Sequence, residues 1–395
     1  MRKIKRKIRK IFNKSKKVFF RVLYLFFKIF PVNDKRVAFL SDSRETISGN
    51  FKYISDEISS RNADLNAVYV LKKTNSAAKT IWEYTRIAWI IATSKFVILD
   101  DFYPLVYPLK IRKNVNLIQV WHAVGAFKTF GFSRVGLPGG PSVNSKNHKN
   151  YTWAIVSSAN VAPFYAEGFG ISQHKVLPLG APRTDIFFDE DYKSGVVERL
   201  KNELPFIKDK KVILYAPTFR GNGQRSAYYN YDWIDFSSLY RNFKNENYVF
   251  LFKIHPFVRQ PVNIPEEYKD FFFDVSSFRE INDLLLVTDL LITDYSSVVF
   301  EFSLLRKKTI FYVPDLEEYT ATRDFYVDYE KFVPGPIARN NSELISNIKS
   351  FNEEIPDSLQ NFLNFYFEDL DGNSSKRFVD ALENNFKDYR NVNQM

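Results

Sequence analysis

The stretch "LITDYSSVVFEF", Leu291 to Phe302, reads as a buried strand that stops at Thr293-Asp294 and passes straight into a helix. A turn at that seam needs only Gly, Asn or Pro. Here it carries Asp294, Tyr295, Ser296 and Ser297 instead. Two hydroxyls at a helix start suit an anionic ligand, because free N–H groups and the positive end of the helix dipole lie there. Asp294 or Ser296 acting only as a helix cap is the plainer alternative.

The same rhythm runs outward from this stretch. "RVAFL", "AVYVL", "FVILD", "LIQVW" and "AIVSS" are strand-like in the first half, and "KVILYAP", "YVFLFKI", "LLIT" and "TIFYV" in the second. Between them lie helical stretches such as "YISDEIS", "AKTIWEYTRIAWIIA", "ANVAPFYAEGFG" and "EINDLLLV". Short apolar strands alternating with helices predict an α/β protein with doubly wound parallel sheets covered on both faces. At 395 residues the chain suits two such domains. The charged run "DEDYKSGVVERLKNELPFIKDKK" marks the boundary, giving Rossmann-like domains over 33–190 and 205–370 and a C-terminal helix and tail over 371–395. "GNGQRSAYYNYD", residues 221–232, reads as a mobile loop over a site.

Charge separates a further segment. The formal net charge is +11, but residues 1–32 hold 12 Lys/Arg and no acid, which leaves the rest at about −1. A basic excess confined to one end argues against a nucleic-acid-binding body and for an addressing segment. Ile4, Ile8, Ile11, Phe12, Phe19, Val22, Leu23 and Phe26 recur at helical spacing with Lys and Arg on the other faces. The apolar run Val18–Phe30 is broken by Arg21 and Lys28 and is too short to span a bilayer, which takes about 20 residues. The pattern predicts an amphipathic helix lying on an anionic membrane surface, ahead of two alternatives: a signal peptide or signal anchor, disfavoured because no small-residue cleavage pattern follows, and a polybasic arm for nucleic acid, disfavoured by the interleaved Phe and Leu. With no cysteine in the chain, neither a disulfide nor a thiolate metal site can form.

Polar residues then fall where this fold class binds ligands, outside the carboxyl ends of the strands. One strand ends at His122, followed by Gly125 and Lys128; another at Thr218 and Arg220; a third at His255; and the opening one at Thr293, Asp294, Ser296 and Ser297. A histidine can serve as base on an attacking hydroxyl or donate to a phosphate, and a guanidinium fork can grip phosphate oxygens. His148 and His174, in polar loop contexts, read as surface residues. No Walker sequence, GxGxxG or HExxH occurs, and the pattern assigns neither a cofactor nor a metal ligand.

Taken together, "GNFKYISDEI", "QVWHAVGAFKTFG", "VLPLGAPRTDIFF", "ILYAPTFR", "KIHPF", "DLLITDYSSVVFEF" and "RDFYVDYEKFVPGPIARNNSELI" resemble the CDP-glycerol glycerophosphotransferases of teichoic acid synthesis, including the ribitol-phosphate transferases. The resemblance covers most of residues 36–350. It implies a GT-B fold, two Rossmann-like domains facing a cleft, and transfer of glycerol phosphate from CDP-glycerol, or ribitol phosphate from CDP-ribitol, with release of CMP. The implied acceptor is a polyprenyl-linked molecule at the cytoplasmic face of the cell membrane, where the protein would be peripheral. On the family pattern His122 is the base on the acceptor hydroxyl, with Gly125 and Lys128 on the acceptor side. His255, Arg220 and Arg323 hold the donor's phosphates. Thr218, Thr293, Asp294, Ser296 and Ser297 form the nucleotide and diphosphate seat, and Glu301 is a candidate for the ribose.

The sequence departs from many relatives at two places. Ala123-Val124-Gly125-Ala126-Phe127-Lys128 replaces Gly-Thr-Pro-Leu-Lys after the first histidine, and Phe219-Arg220-Gly221 replaces Trp-Arg-Asp. Both put the polyol and acceptor in question. Two rival readings stay open on the residues alone. One is a glycosyltransferase of the same fold using a nucleotide sugar; the other is a peripheral membrane protein that binds polyanions without catalysis.

Overall fold

The computed structural model describes residues 2–61, 63–72, 79–221, 223–350, 354 and 356–391, with side chains from residue 15 to residue 389. The chain forms two compact units. Unit 1 takes the residues up to Ala123, Phe130–Asp185 and the segment from Asn373; unit 2 takes Val124–Thr129 and Ile186–Gly372.

Unit 1 is built on β1 (Asn33–Leu40), β2 (Asn66–Val70), β3 (Ser94–Leu99), β4 (Asn116–Gln119), β5 (Trp153–Ile155) and β6 (Val176–Leu177), in the order β2-β1-β3-β4-β5-β6. Every neighbouring pair is parallel. Leu40 stands opposite Val70 on one side and Leu99 on the other, so the strand order reverses at β1. Strands buried on both faces read as continuous apolar runs, which is why Val37–Leu40 and Val97–Leu99 are wholly enclosed. The helix Ile81–Thr93 opens with a capping box in which Thr80 and Glu83 satisfy each other's backbone N–H groups.

The C-terminal segment, expected as a separate helix and tail, belongs to this core. Phe378, Val379, Leu382 and Phe386 pack with Ile98, Ile118 and Trp153. The Phe386 ring stacks on Trp153 at 5.5 Å.

The N-terminal residues Arg2–Phe27 form one helix. It packs on Ile81–Thr93 by burying Phe20 and Tyr24, with Phe20 against Tyr84 and Phe27 against Trp89. Phe19, Val22 and Phe26, from the stripe read in the sequence, are exposed on the other side, whereas Leu23 is half-buried. The side chains of Ile4, Ile8, Ile11 and Phe12 lie outside the described residues. Among the described residues no helix is long and apolar enough to cross a membrane.

Unit 2 repeats the architecture with β7 (Lys211–Tyr215), β8 (Tyr248–Phe252), β9 (Phe272–Asp274), β10 (Leu290–Thr293), β11 (Thr309–Tyr312) and β12 (Ile337–Ala338), all parallel, in the order β12-β11-β10-β7-β8-β9. The order reverses at β7, and ligands of such sheets bind at that switch point. Ile213, Tyr215, Phe250, Phe252, Ile292 and Ile310 form its core. The charged run read as a boundary folds as the helix Glu190–Glu203, capped by Asp189 and tied to Asp283 through Tyr192 and Arg199.

One short stretch from early in the chain belongs here. Val124–Thr129 runs beside residues 324–326: Thr129 N–H donates to Asp324 O at 3.0 Å, and Tyr326 N–H donates to Phe127 O at 3.0 Å. Gly125, at φ +66°, lies so close to Phe300 that an added Cβ would stand 2.4 Å from the ring. Only glycine combines that φ with that approach.

Candidate functional sites at the strand ends

In unit 1 the chain leaves β4 through Val120 and Trp121 to His122. Trp121 has φ +53°, an uncommon conformation for a bulky residue. It persists because neighbours hold it. The Asn50 side-chain amide donates to both Val120 O and Trp121 O at 2.9 Å, and Trp121 N–H donates to Gln119 Oε1 at 2.9 Å. Arg183 donates to His122 O at 2.6 Å, and its own N–H donates to Asn50 Oδ1 at 3.0 Å. The backbone on both sides of the histidine is thus fixed from three separate places in the sequence.

The His122 ring lies 4.5 Å from the Trp121 ring, half-exposed, with Nδ1 3.4 Å from Asp101 Oδ1. Burial would raise the Asp101 pKa, but the hydrogen bond and charge of His122, with the Phe102 N–H, bring it below the usual carboxylate range. A carboxylate at Nδ1 orients the ring and leaves Nε2 as the basic nitrogen. Asp101 was missed in the sequence. Its signal was the doubled acid closing "FVILDD", of which Asp100 instead pairs with Arg44.

His148 corrects the expectation of a surface residue. It is buried, with Nδ1 2.8 Å from Tyr151 Oη and its ring 6.0 Å from Trp121 and 5.0 Å from Phe169. Burial lowers its pKa to about 4, so it is neutral at pH 7. His174 is exposed, as expected.

In unit 2 the ends of β7, β8 and β10 and the Val124–Thr129 stretch bring Thr218, Arg220, His255, Asp294 and Lys128 together. Asp294 is fully buried. Its Oδ1 accepts from Thr218 N–H at 2.7 Å and from Tyr295 N–H at 2.6 Å, and its Oδ2 accepts from Arg220 Nη1 at 2.8 Å. Arg220 also donates through Nε and Nη2 to both oxygens of Asp315, at 2.6 and 2.9 Å, and through Nη1 to Thr218 O at 2.8 Å. The rings of Trp233, Tyr295 and Tyr319 close around it. Burial works against its charge, but Asp294 and Asp315 more than restore it. At 5% exposure, with its fork engaged, Arg220 stands as an ion-pair hub.

Other expected residues take different positions. Thr293 is buried and donates to Ala216 O at 2.8 Å. Ser296 is half-buried, and its Oγ accepts from Val298 N–H at the long distance of 3.4 Å at the start of the short helix Val298–Ser303, whereas Ser297, the N-cap residue, is exposed and its hydroxyl makes no capping bond. Glu301 is buried within that helix.

Three basic side chains remain beside the hub. Lys128, expected on the acceptor side, lies in unit 2 with Nζ 3.5 Å from Thr218 Oγ1 and 5.5 Å from the Tyr319 ring centre. Burial lowers its pKa to about 8; Asp294 opposes the shift, and Arg323 and Arg220 add to it. His255 sits between Phe219 and Phe257, and its Nδ1 accepts from Phe257 N–H at 3.1 Å. Burial, then the charges of Lys128 and Lys253, lower its pKa to about 4, so at pH 7 its one proton is on Nε2. Arg323, half-buried, donates to Gly221 O at 2.9 Å. Beside this group, a cavity of 1290 Å³ is lined by residues that include Trp233, Asp315, Arg323, Phe325, Tyr329 and Arg339. Among the described residues no cluster of three or more His, Asp or Glu could hold a metal ion.

Known proteins bear on these sites. The chain is 55% identical over 357 residues to the teichoic acid poly(ribitol-phosphate) polymerase of Bacillus spizizenii, a match covering 90% of this chain and 57% of that protein. It is 46% identical over 350 residues to the teichoic acid ribitol-phosphate polymerase TarK of Staphylococcus aureus, covering 88% of this chain and 68% of the relative. The solved wall teichoic acid polymerase TagF superposes with a TM-score of 0.77 at 23% identity, over 98% of each chain, and so shares the fold. A family model described as CDP-Glycerol:Poly(glycerophosphate) glycerophosphotransferase matches residues 22–384. With nearly the whole chain inside that match, this protein belongs to the CDP-glycerol:poly(glycerophosphate) glycerophosphotransferase family.

Proposed function

We propose that the protein transfers a polyol phosphate from its CDP ester to the hydroxyl of a membrane-bound, polyprenyl-linked acceptor, releasing CMP, in the synthesis of teichoic acid. The sequence reading put glycerol phosphate first. The identities of 55% and 46% to two proteins named for ribitol phosphate move the preference to CDP-ribitol. The family description keeps CDP-glycerol as the second reading. On this proposal the two parallel-sheet units are the halves of a GT-B enzyme.

The observation that carries the reaction is the His122–Asp101 pair. His122 Nε2 takes the proton of the acceptor hydroxyl while Asp101 holds the ring and steadies the imidazolium. The freed oxygen attacks the phosphorus that bears the polyol, the bond to the bridging oxygen breaks, and CMP leaves with the electron pair. In unit 2, His255 donates its Nε2–H to a phosphate oxygen and Arg323 adds charge. Catalysis of this kind is mainly positioning and electrostatic stabilisation.

The N-terminal helix would hold the enzyme on the cytoplasmic leaflet. Val18, Phe19, Val22, Leu25 and Phe26 are exposed on it, next to Lys17 and Arg21, and Ile81 and Trp82 are exposed on the helix it packs against. Apolar side chains bordered by basic ones suit an anionic interface.

One assay tests the whole reading. Purified protein is mixed with lipid-linked acceptor in anionic vesicles and offered CDP-ribitol or CDP-glycerol, and both CMP release and co-sedimentation are measured. Acceptor-dependent CMP release is expected, faster with CDP-ribitol, with the protein in the vesicle pellet. Release of UDP from a UDP-sugar instead would replace the donor class, and protein left in the supernatant would remove the membrane assignment.

A further inference from the structure

We propose that Lys128 is the cation that meets the donor's diphosphate in unit 2, in place of Arg220. The inference rests on the reading of unit 2 as the seat of a CDP ester and adds to it the residue that meets the phosphate charge.

Two opposite arrangements of positive charge lie side by side here. Arg220 faces two carboxylates and a carbonyl, so a ligand gains little from its charge. Among the described residues Lys128 has no carboxylate within ion-pair distance; its Nζ has only the Thr218 hydroxyl, at the long distance of 3.5 Å, and the Tyr319 face. A half-buried ammonium without a counter-ion is unfavourable until an anion arrives, and an arriving anion recovers that energy. The Thr218 hydroxyl beside it can donate to the same phosphate. Thr218 is itself held by Asp294 through its N–H and by Arg220 through its carbonyl. The hub thus builds the floor on which the lysine's ligand would rest.

The backbone carrying Lys128 is equally well determined. It lies in the one stretch before Ile186 that belongs to unit 2, bridged to Phe325 and anchored at Gly125 under Phe300. Such anchoring sets the stem of a flexible side chain whose head must reach one place.

The groups facing Lys128 are Asp294 at the end of β10, Thr218 and Arg220 after β7, His255 after β8, and Tyr319 and Arg323 from the segment after β11. Arg220 and Arg323 stay cationic. His255 is already neutral, burial keeps the Tyr319 phenol protonated, and burial raises Asp294 from the low carboxylate range while Arg220 and the Thr218 N–H oppose the rise. Between pH 7 and 9 the lysine, at about 8, changes its charge. Its protonated form binds, so affinity for a diphosphate should fall as pH rises through that window.

The test is calorimetric titration of the full chain with CDP, CMP and cytidine, at pH 7 and pH 9, for the wild type, Lys128→Met and Lys128→Arg. Loss of one charge-assisted contact should weaken CDP binding by Lys128→Met by about 10- to 100-fold at pH 7, with cytidine binding unchanged. Lys128→Arg should keep most of the affinity and lose the fall towards pH 9. Unchanged CDP binding by Lys128→Met, or equal losses for CDP and cytidine, would overturn the assignment by showing no contact or a merely structural one. A wild type that binds none of the three would overturn the donor reading itself, and the role of Lys128 with it.

Discussion

The strand-end sites of the two units were written in the same sequence idiom and are built in opposite ways. In unit 1 the protein fixes the backbone and leaves the side chain open: Asn50, Gln119 and Arg183 hold the carbonyls and N–H around a strained Trp121, and His122 projects half-exposed with one carboxylate behind it. In unit 2 it locks the side chains, so that Arg220 and Asp294 spend their bonds on each other, on Asp315 and on Thr218. A polar residue at the end of a parallel strand can therefore be the reagent or the frame. Which of these it is depends on partners distant in sequence.

That contrast gives different losses for the two sites. Changing His122→Ala removes the proposed base and nothing that holds the fold, so on that proposal turnover should fall by about 100- to 10,000-fold with CDP affinity and melting temperature unchanged. Steady-state CMP release against donor concentration separates the cases. A raised KM with normal turnover would move His122 from reagent to binding residue.

Arg220→Ala should do the reverse in kind. It leaves Asp294 and Asp315 buried without their counter-ion, a loss of about 3–5 kcal/mol of stability. Urea unfolding should show an early transition for this variant, with poor donor binding following from loss of structure. A variant that unfolds like the wild type but loses only CDP affinity would make Arg220 a phosphate ligand after all, and the contrast would fail.

Much of the fold was legible because a parallel sheet covered on both faces needs strands that are apolar throughout, and nine such runs stand out between amphipathic stretches. The three strands missed, β6, β9 and β12, are two or three residues long and too short to show a period. The place of Phe378 and Phe386 in the core of unit 1 was not legible either, since more than 200 residues separate them from Trp153. The same holds for the sites. His122, His255 and Asp294 announced themselves by position, whereas Asp101, Asp315 and the setting of Lys128 depend on pairings across the fold. Ser296 and Ser297 were the most conspicuous signal and are only lightly engaged: Ser296 is half-buried and takes one long bond from Val298 N–H, and Ser297 is open to solvent.

Histidine protonation sharpens the comparison further. Unfolding returns both His148 and His255 from about 4 to the ordinary value near 6.5. Each unfolded imidazole then binds a proton between those values while its folded counterpart does not, so stability is complete above about pH 6.5 and is lost as pH falls towards 4. For the fully enclosed His148 the loss should reach up to about 3 kcal/mol. His148→Asn, which suits the residue's φ of +63°, should flatten that part of the acid dependence at some cost in packing. His255 differs in one respect: it faces the proposed diphosphate, and a bound anion would favour its protonated form. Denaturation between pH 4.5 and 7 should therefore show the His148 contribution unchanged by saturating CDP, while the remaining acid sensitivity of the His148→Asn protein diminishes. An acid response in which CDP alters nothing would separate His255 from the anion and leave it, like His148, a buried support.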